Sequence, residues 1–267
     1  MVTDGPRLAG PRQVAAQHMA LVQRVQAVFR DRLPSVPGGR DLVALWPRAL
    51  VAVLGAHALG QAGPRTPLDL VLIPTGDGAA PPPGAASALD GTDPLLEPAV
   101  AWRVRSRQWL VHRLGEPEGL WLWQRAAVVA DPVGILGEEV PRALSAFRLR
   151  LPTLVAERYG WLREGLEQAD VAPDVLGRRI LVGRAVEAAL QLPLLARGEP
   201  FPPPPYLPWY LRQVCPQGEE AAELAGRVAV GPAGDRQAGG VLRRLVDELL
   251  EVAGYGESLV RQYRRRA

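Results

Sequence analysis

The sequence predicts an α+β protein in which a mixed sheet is followed by a C-terminal helical bundle. Three observations carry this. Short continuous apolar runs at residues 49–54 and 68–73, stopped by Gly55 and Pro74, read as buried strands. Ahead of them, Val14, His18, Leu21, Val22, Val25, Val28, Phe29 and Leu33 recur three and four apart, the stripe of an amphipathic helix that ends near Pro34. Beyond Pro141 the pattern is wholly helical.

The remaining elements follow in order. Residues 74–98 are so rich in Pro, Gly and Ala that a surface loop is expected, with neither helix nor ladder. A third strand is expected at 99–104, a helix at 106–114, and a fourth strand at 126–130 that stops at Asp131-Pro132, a strand stop and helix cap. In the bundle, Leu154, Tyr159, Leu162 and Leu166 form one apolar face. Leu176, Ile180, Ala185, Ala189 and Leu192 form a second, and Val241, Leu245, Val246, Leu249 and Leu250 a third. The prolines of residues 201–211 read as a stiff connector between helices. These features divide the chain into a sheet domain over 1–135 and a helical domain over 136–267.

Composition excludes several classes. At 48% hydrophobic and 22% charged residues the chain has a globular balance, which argues against disorder and fibrous repeats. A net charge of +3 is too small to argue for nucleic-acid binding by itself. Lys and Asn are absent, so every basic side chain is Arg, as a GC-rich genome would produce, and a Walker-type phosphate loop, which needs Lys, is excluded. The single cysteine, Cys215, rules out an internal disulfide and a cysteine zinc cage. No apolar run approaches the roughly 18–20 residues of a membrane span, and the N-terminus lacks the layout of an export signal. A cytoplasmic protein with no membrane partner is the expectation.

The connection between the first two strands reads Gly55-Ala56-His57-Ala58-Leu59-Gly60-Gln61-Ala62-Gly63-Pro64-Arg65-Thr66-Pro67-Leu68-Asp69-Leu70. It resembles, without a gap, the signature of the polymerase-β-like nucleotidyltransferases, the kanamycin-type and minimal members above all: a Gly-Ser pair and a second Gly, then Ser-Asp-x-Asp before a hydrophobic residue. The order of helix, strand, Gly-rich turn, carboxylate strand and helical C-terminal domain is similar too. The resemblance implies a nucleotidyltransferase-like sheet domain. It also implies a site at which two Mg²⁺ ions, held by carboxylates, neutralise a triphosphate and activate the attacking oxygen. Carboxylates two residues apart on a strand face the same side, where both reach the ions.

Mapped residue by residue, the signature is only partly kept. Gly55 and Gly60 occupy the glycine positions, with Ala56 and His57 between them as further phosphate-binding candidates. Asp69 is the surviving carboxylate, the one catalytic and metal-ligating candidate. The signature serine is Ala56, and the first carboxylate is Pro67. On the strand that should supply a third carboxylate the polar residues are Arg103 and Arg105, whose fixed charge repels Mg²⁺ but whose guanidinium forks suit phosphate. The alternative for these two arginines is a solvated sheet face beside Trp102.

The resulting expectation is a pseudo-nucleotidyltransferase: a nucleotidyltransferase-like protein with a degraded Mg²⁺ site, acting as a nucleotide- or RNA-binding or regulatory module and needing no cofactor. One alternative is an active Mg²⁺-dependent transferase moving a nucleoside monophosphate onto a small molecule, protein or RNA, in which Asp77, Asp90 or Asp93 swings in from the loop. The other is an interaction scaffold with a protein partner and no ligand. Tyr206, Trp209 and Tyr210, after the prolines, are base-stacking candidates or else a clamp on the bundle. His57 is otherwise a solvated turn residue, His18 a packing residue and His112 exposed. The arginines at 261–266 are a frayed tail or an RNA contact.

Overall fold

The computed structural model describes residues 19–31, 33–35, 39–63, 65–75, 91–93, 99–230, 236–256 and 259. Val14, His18, Asp77, Asp90 and the arginines at 261–266 lie outside them. The chain divides into two compact units, Met1–Leu144 and Ser145–Ala267. The class is α+β, a mixed sheet in the first unit and helices in the second.

The first unit opens with helices α1 (Met19–Asp31) and α2 (Gly39–Leu45) and the strand β1 (Ala49–Leu54). Strands β2 (Leu68–Pro74), β3 (Gly91–Asp93) and β4 (Val100–Val104) follow, then helices α3 (Arg107–Leu114) and α4 (Pro117–Gln124) and strand β5 (Ala127–Ala130). The sheet order is β3-β4-β2-β1-β5. Among the described residues β2 and β4 run parallel, and the other neighbours are antiparallel. All six residues of β1 are buried, as are six of the seven in β2, which is why β1 reads as an unbroken apolar run and β2 as one interrupted by a single residue. Asp69 is the exception in β2.

The strand β3 corrects the expectation of a loop throughout 74–98. Three residues, Gly91 to Asp93, pair antiparallel with Trp102 to Val100. An edge strand this short takes its stability from backbone ladder bonds, which leave no hydrophobic pattern in the sequence. The short helix α4 was not expected either. Gly119, Leu120, Trp121 and Trp123 are all buried, so its apolar residues surround the axis and show no 3.6-residue period.

One face of the sheet carries the main core of this unit, where Val51, Val53, Leu70, Leu72, Trp102 and Val104 pack with Val25 of α1. Each such side chain contributes about 1.5–3 kcal/mol by leaving water. The opposite face holds Asp69, and cross-strand pairing with Leu54 and Ala101 fixes its position there. Ser106 caps α3 by accepting the Trp109 N–H at 3.1 Å.

Helix α5 (Ile135–Val171) starts ahead of Pro141, beyond which the sequence reads as wholly helical, and contains that proline. The carboxylate of Asp131 explains its early start: it accepts the Ile135 and Leu136 N–H groups at 2.9 and 3.0 Å, offsetting the orphan donors of the first turn. The Asp131-Pro132 cap is therefore in place.

The second unit contains the rest of α5 and helices α6 (Val175–Ala196), α7 (Leu207–Val214), α8 (Gly218–Val230) and α9 (Arg236–Val252). Leu154, Tyr159 and Leu162 are buried as expected, as are Ala185, Ala189 and Leu192 of α6. Leu176 and Ile180 are not: they are 69% and 63% exposed. The periodicity located a stripe correctly, but only the half of α6 beyond Val182 is covered. There Gly165 of α5 lets the two helices approach closely, since a Cβ at that position would lie 3.0 Å from the Ala185 Cβ. The proline connector is shorter than 201–211, because Pro204–Tyr206 is a 3₁₀ turn and α7 starts at Leu207. Pro208 is tolerated in the first helical turn, where its missing N–H has no intrahelical partner to lose. No helix among the described residues is long and apolar enough to cross a membrane.

Candidate functional site

The β1–β2 connection is a closed turn built on two left-handed glycines, Gly55 at φ 69° and Gly60 at φ 68°. Both backbone positions strain any residue with a Cβ, so the glycine spacing of the motif is a geometric need here. Inside the turn, the Leu59 N–H donates to the Gly55 carbonyl at 3.1 Å and the Gln61 N–H to the Ala56 carbonyl at 2.8 Å. His57 is tied across it, its Nε2 lying 2.8 Å from the Thr66 carbonyl oxygen. Thr66 closes the far side by accepting the Gly63 N–H on its hydroxyl at 3.0 Å. His57 is thus a turn strut, half-buried, rather than a solvated residue. Thr66 escaped the sequence reading; a Thr hydroxyl can bond nearby backbone in a turn, but the residue type alone is a weak signal.

Asp69 lies immediately beyond this turn, opposite Leu54, the residue that precedes Gly55. On the other side, the parallel register with β4 sets Asp69 beside Ala101 and Val71 beside Arg103. Asp69, Val71, Ala101 and Arg103 therefore share one sheet face. The Arg103 guanidinium reaches along it to Asp69, with Nη2 3.1 Å from Oδ1 and 3.3 Å from Oδ2. Only the Oδ2 contact has hydrogen-bond alignment; Oδ1 is enclosed and takes the guanidinium as a neighbouring charge. Burial pushes the Asp69 carboxyl above its usual pKa, and Arg103 opposes this in part.

The residues present do not fit a two-metal centre. Asp69 faces a cation rather than a second carboxylate, and Pro67 and Ala56 offer no side-chain oxygen. Among the described residues no three His, Cys, Asp or Glu side chains cluster as a metal site. Asp93 belongs to β3, paired through its backbone with Val100.

Of the other residues singled out, Arg105 is directed elsewhere. Its Nη1 donates to the Val104 carbonyl at 2.8 Å, and its guanidinium lies 5.9 Å from the centre of the Trp109 ring. Tyr206, Trp209 and Tyr210 belong to the second unit. Tyr210 is buried and its hydroxyl donates to Glu199 at 3.2 Å, which withdraws it from any stacking surface; Trp209 leans on it with ring centres 6.3 Å apart. Tyr206 is half-buried at the 3₁₀ turn. His112 is exposed, 3.5 Å from Glu116.

No protein-family model matches the chain, and no curated protein matches it in sequence. Among solved structures, it is similar to a nucleotidyltransferase-like protein from Exiguobacterium sibiricum 255-15. The two are 12% identical with a TM-score of 0.44, over 92% of this chain and 80% of the other.

Proposed function

We propose that this chain is a nucleotidyltransferase-fold protein that has exchanged metal-dependent transfer for metal-independent binding of a phosphate-bearing ligand, a nucleotide or an RNA end. The observation that carries the reading is the ion pair between Arg103 and Asp69. A two-metal mechanism needs several carboxylate oxygens converging on the ions, each ion neutralising triphosphate charge. Among the described residues one carboxylate remains at this site and a guanidinium is paired with it, a fixed cation that repels Mg²⁺ and presents donors suited to a phosphate oxygen. Arg103 is 47% exposed, so a ligand from solution can meet it. Gly55 and Gly60 leave two positions of the neighbouring turn without a side chain, where a phosphate could approach the backbone. On this reading the protein is a cytoplasmic binding or regulatory module without a cofactor, and a nucleotide, RNA or regulated protein is its partner.

A thermal-shift panel of nucleoside mono-, di- and triphosphates and a short 3′-phosphorylated RNA, each with Mg²⁺ and with EDTA, tests this. Only species that bind the native state raise its melting temperature. The expected result is stabilisation that survives EDTA. Stabilisation that requires Mg²⁺, or nucleotide turnover abolished by Asp69→Ala, establishes the transferase instead. No shift with any ligand establishes the scaffold.

A further inference from the structure

A cavity of about 170 Å³ opens in the helical unit where the ends of α5 and α8 meet the first turns of α6 and α9. Leu166, Val182 and Val228 form its apolar wall, and Arg178, Arg236, Arg243 and Asp170 line its polar side. These charges are ordered unequally. Asp170 accepts from Arg236 Nε at 2.8 Å and lies 4.0 Å from Arg178 Nη2, while Arg178 Nε donates to the Ala169 carbonyl at 2.9 Å.

Beneath the cavity the polar seam continues between α5 and α9. Glu167, another lining residue, lies 3.8 Å from Arg163. Arg163 is 5% exposed, its Nε has no hydrogen-bond partner, and it lies 3.9 Å from the buried Asp247. Along the seam four guanidiniums, Arg163, Arg178, Arg236 and Arg243, meet three carboxylates, Glu167, Asp170 and Asp247. The surplus cation is Arg243, which has no carboxylate partner among the described residues. A concave site with an apolar wall and one surplus guanidinium is complementary to a small anion with an apolar body.

We infer that this cavity binds the oxyanion group, phosphate or carboxylate, of a small molecule whose apolar part rests on Leu166, Val182 and Val228. Arg243 supplies the charge that no described carboxylate offsets. Arg178 and Arg236, held in place by Ala169 and Asp170, direct further donors to the same anion. Gly240 leaves the room: it lines the cavity, and a Cβ added there would meet nothing within 4 Å. The inference is independent of the Arg103 site, which lies in the other unit.

The test is calorimetric titration of the full chain carrying Arg103→Ala, which removes the first phosphate contact, with phenyl phosphate, benzoate and, as a cation of similar shape, benzylamine. Binding of phenyl phosphate or benzoate but not benzylamine is expected, and the preferred anion identifies the natural head group. Adding Arg243→Gln should weaken binding by roughly tenfold or more, the scale of a lost charge-assisted hydrogen bond. Asp170→Asn removes a competing charge but keeps the Oδ1 oxygen that accepts from Arg236 and holds it in place, so it should tighten binding several-fold. Gly240→Leu should fill the cavity and abolish binding without lowering the melting temperature. The inference is overturned if neither anion binds, if benzylamine binds equally well, if Arg243→Gln and Gly240→Leu retain full affinity, or if Asp170→Asn weakens binding.

Discussion

Arg103 and Asp69 pair across the parallel β2–β4 junction of the sheet, a guanidinium 3.1 Å from a carboxylate that burial makes reluctant to ionise. The pair is partly solvated, with Arg103 47% and Asp69 30% exposed, so solvent screens its energy. Arg103→Ala should therefore lower stability by no more than about 1 kcal/mol in urea unfolding, even though the same change removes the proposed phosphate contact. A loss of several kcal/mol would make Arg103 a structural pillar and weaken its assignment as a ligand contact.

The same carboxyl predicts a pH dependence. Its folded pKa is raised from 3.8, chiefly by desolvation and against the pull of Arg103, so folding takes up a proton on Asp69 in the window just above pH 3.8. Its favourable contribution is complete below 3.8 and disappears as pH rises through the raised value. At neutral pH the ionised, half-buried carboxylate is a net cost. Asp69→Asn should then match or exceed the wild type in melting temperature at pH 7 and lose that advantage near pH 4. A wild type more stable than the variant at pH 7, with the gap widening as pH rises, would reverse the sign and place the pairing with Arg103 above desolvation.

How much of this was legible depended on where the information lay. Residues 49–54 are β1 to the residue, because a strand buried on both faces leaves an uninterrupted apolar run. Arg103 and Asp69 were each conspicuous, but their pairing was not, since it follows from the register that sets Val71 beside Arg103. Nothing in the spacing of residues 34 apart encodes that. Leu176 and Ile180 show the complementary limit: helical periodicity reports a stripe, and what covers the stripe depends on neighbouring helices. Pro141 shows a third, because the helix that Asp131 caps runs through a proline that the sequence alone reads as a boundary.

In the helical unit, Tyr159 donates a 2.6 Å hydrogen bond to Asp247, and both are buried with Arg163. Tyr159→Phe removes a bond to a charged acceptor and should cost about 1.5–3 kcal/mol. Asp247→Ala strips Arg163 of its buried counter-charge and should cost more, about 3–5 kcal/mol. Chemical denaturation of both variants checks the order. Equal or reversed losses would mean that Arg163 is solvated and that the buried pair contributes little.

Two glycines separate packing need from helix propensity. At Gly119 a Cβ would lie 1.9 Å from the Arg113 carbonyl oxygen, where backbone meets backbone at the α3–α4 corner and nothing can yield cheaply. Gly119→Ala should cost about 3 kcal/mol or more as overpacking. At Gly226 in α8 a Cβ meets nothing within 4 Å, so Gly226→Ala should gain about 0.5–1 kcal/mol. Melting temperatures moving in opposite directions confirm both environments, and a destabilised Gly226→Ala would place an unseen contact on that face of α8.

The proposed exclusion of divalent ions is the sharpest test of the Arg103 position, because one substitution should reverse its sign. Arg103→Asp removes the guanidinium from Asp69 and puts a second carboxylate on the same sheet face, beside Val71 and two positions along from Asp69 on the neighbouring strand. Mn²⁺, which takes oxygen ligands and can be counted by electron paramagnetic resonance, should remain free with the wild type and bind weakly to this variant. The binding should stay weak because Pro67 still withholds the carboxylate that the signature supplies at that position, and Arg103→Asp/Pro67→Asp should strengthen it further. Mn²⁺ bound by the wild type as tightly as by the variant would mean that Arg103 yields its place to metal. No binding by the double variant would show that the turn from Gly55 to Thr66 has moved too far from the metal-holding geometry for restored carboxylates to recover it.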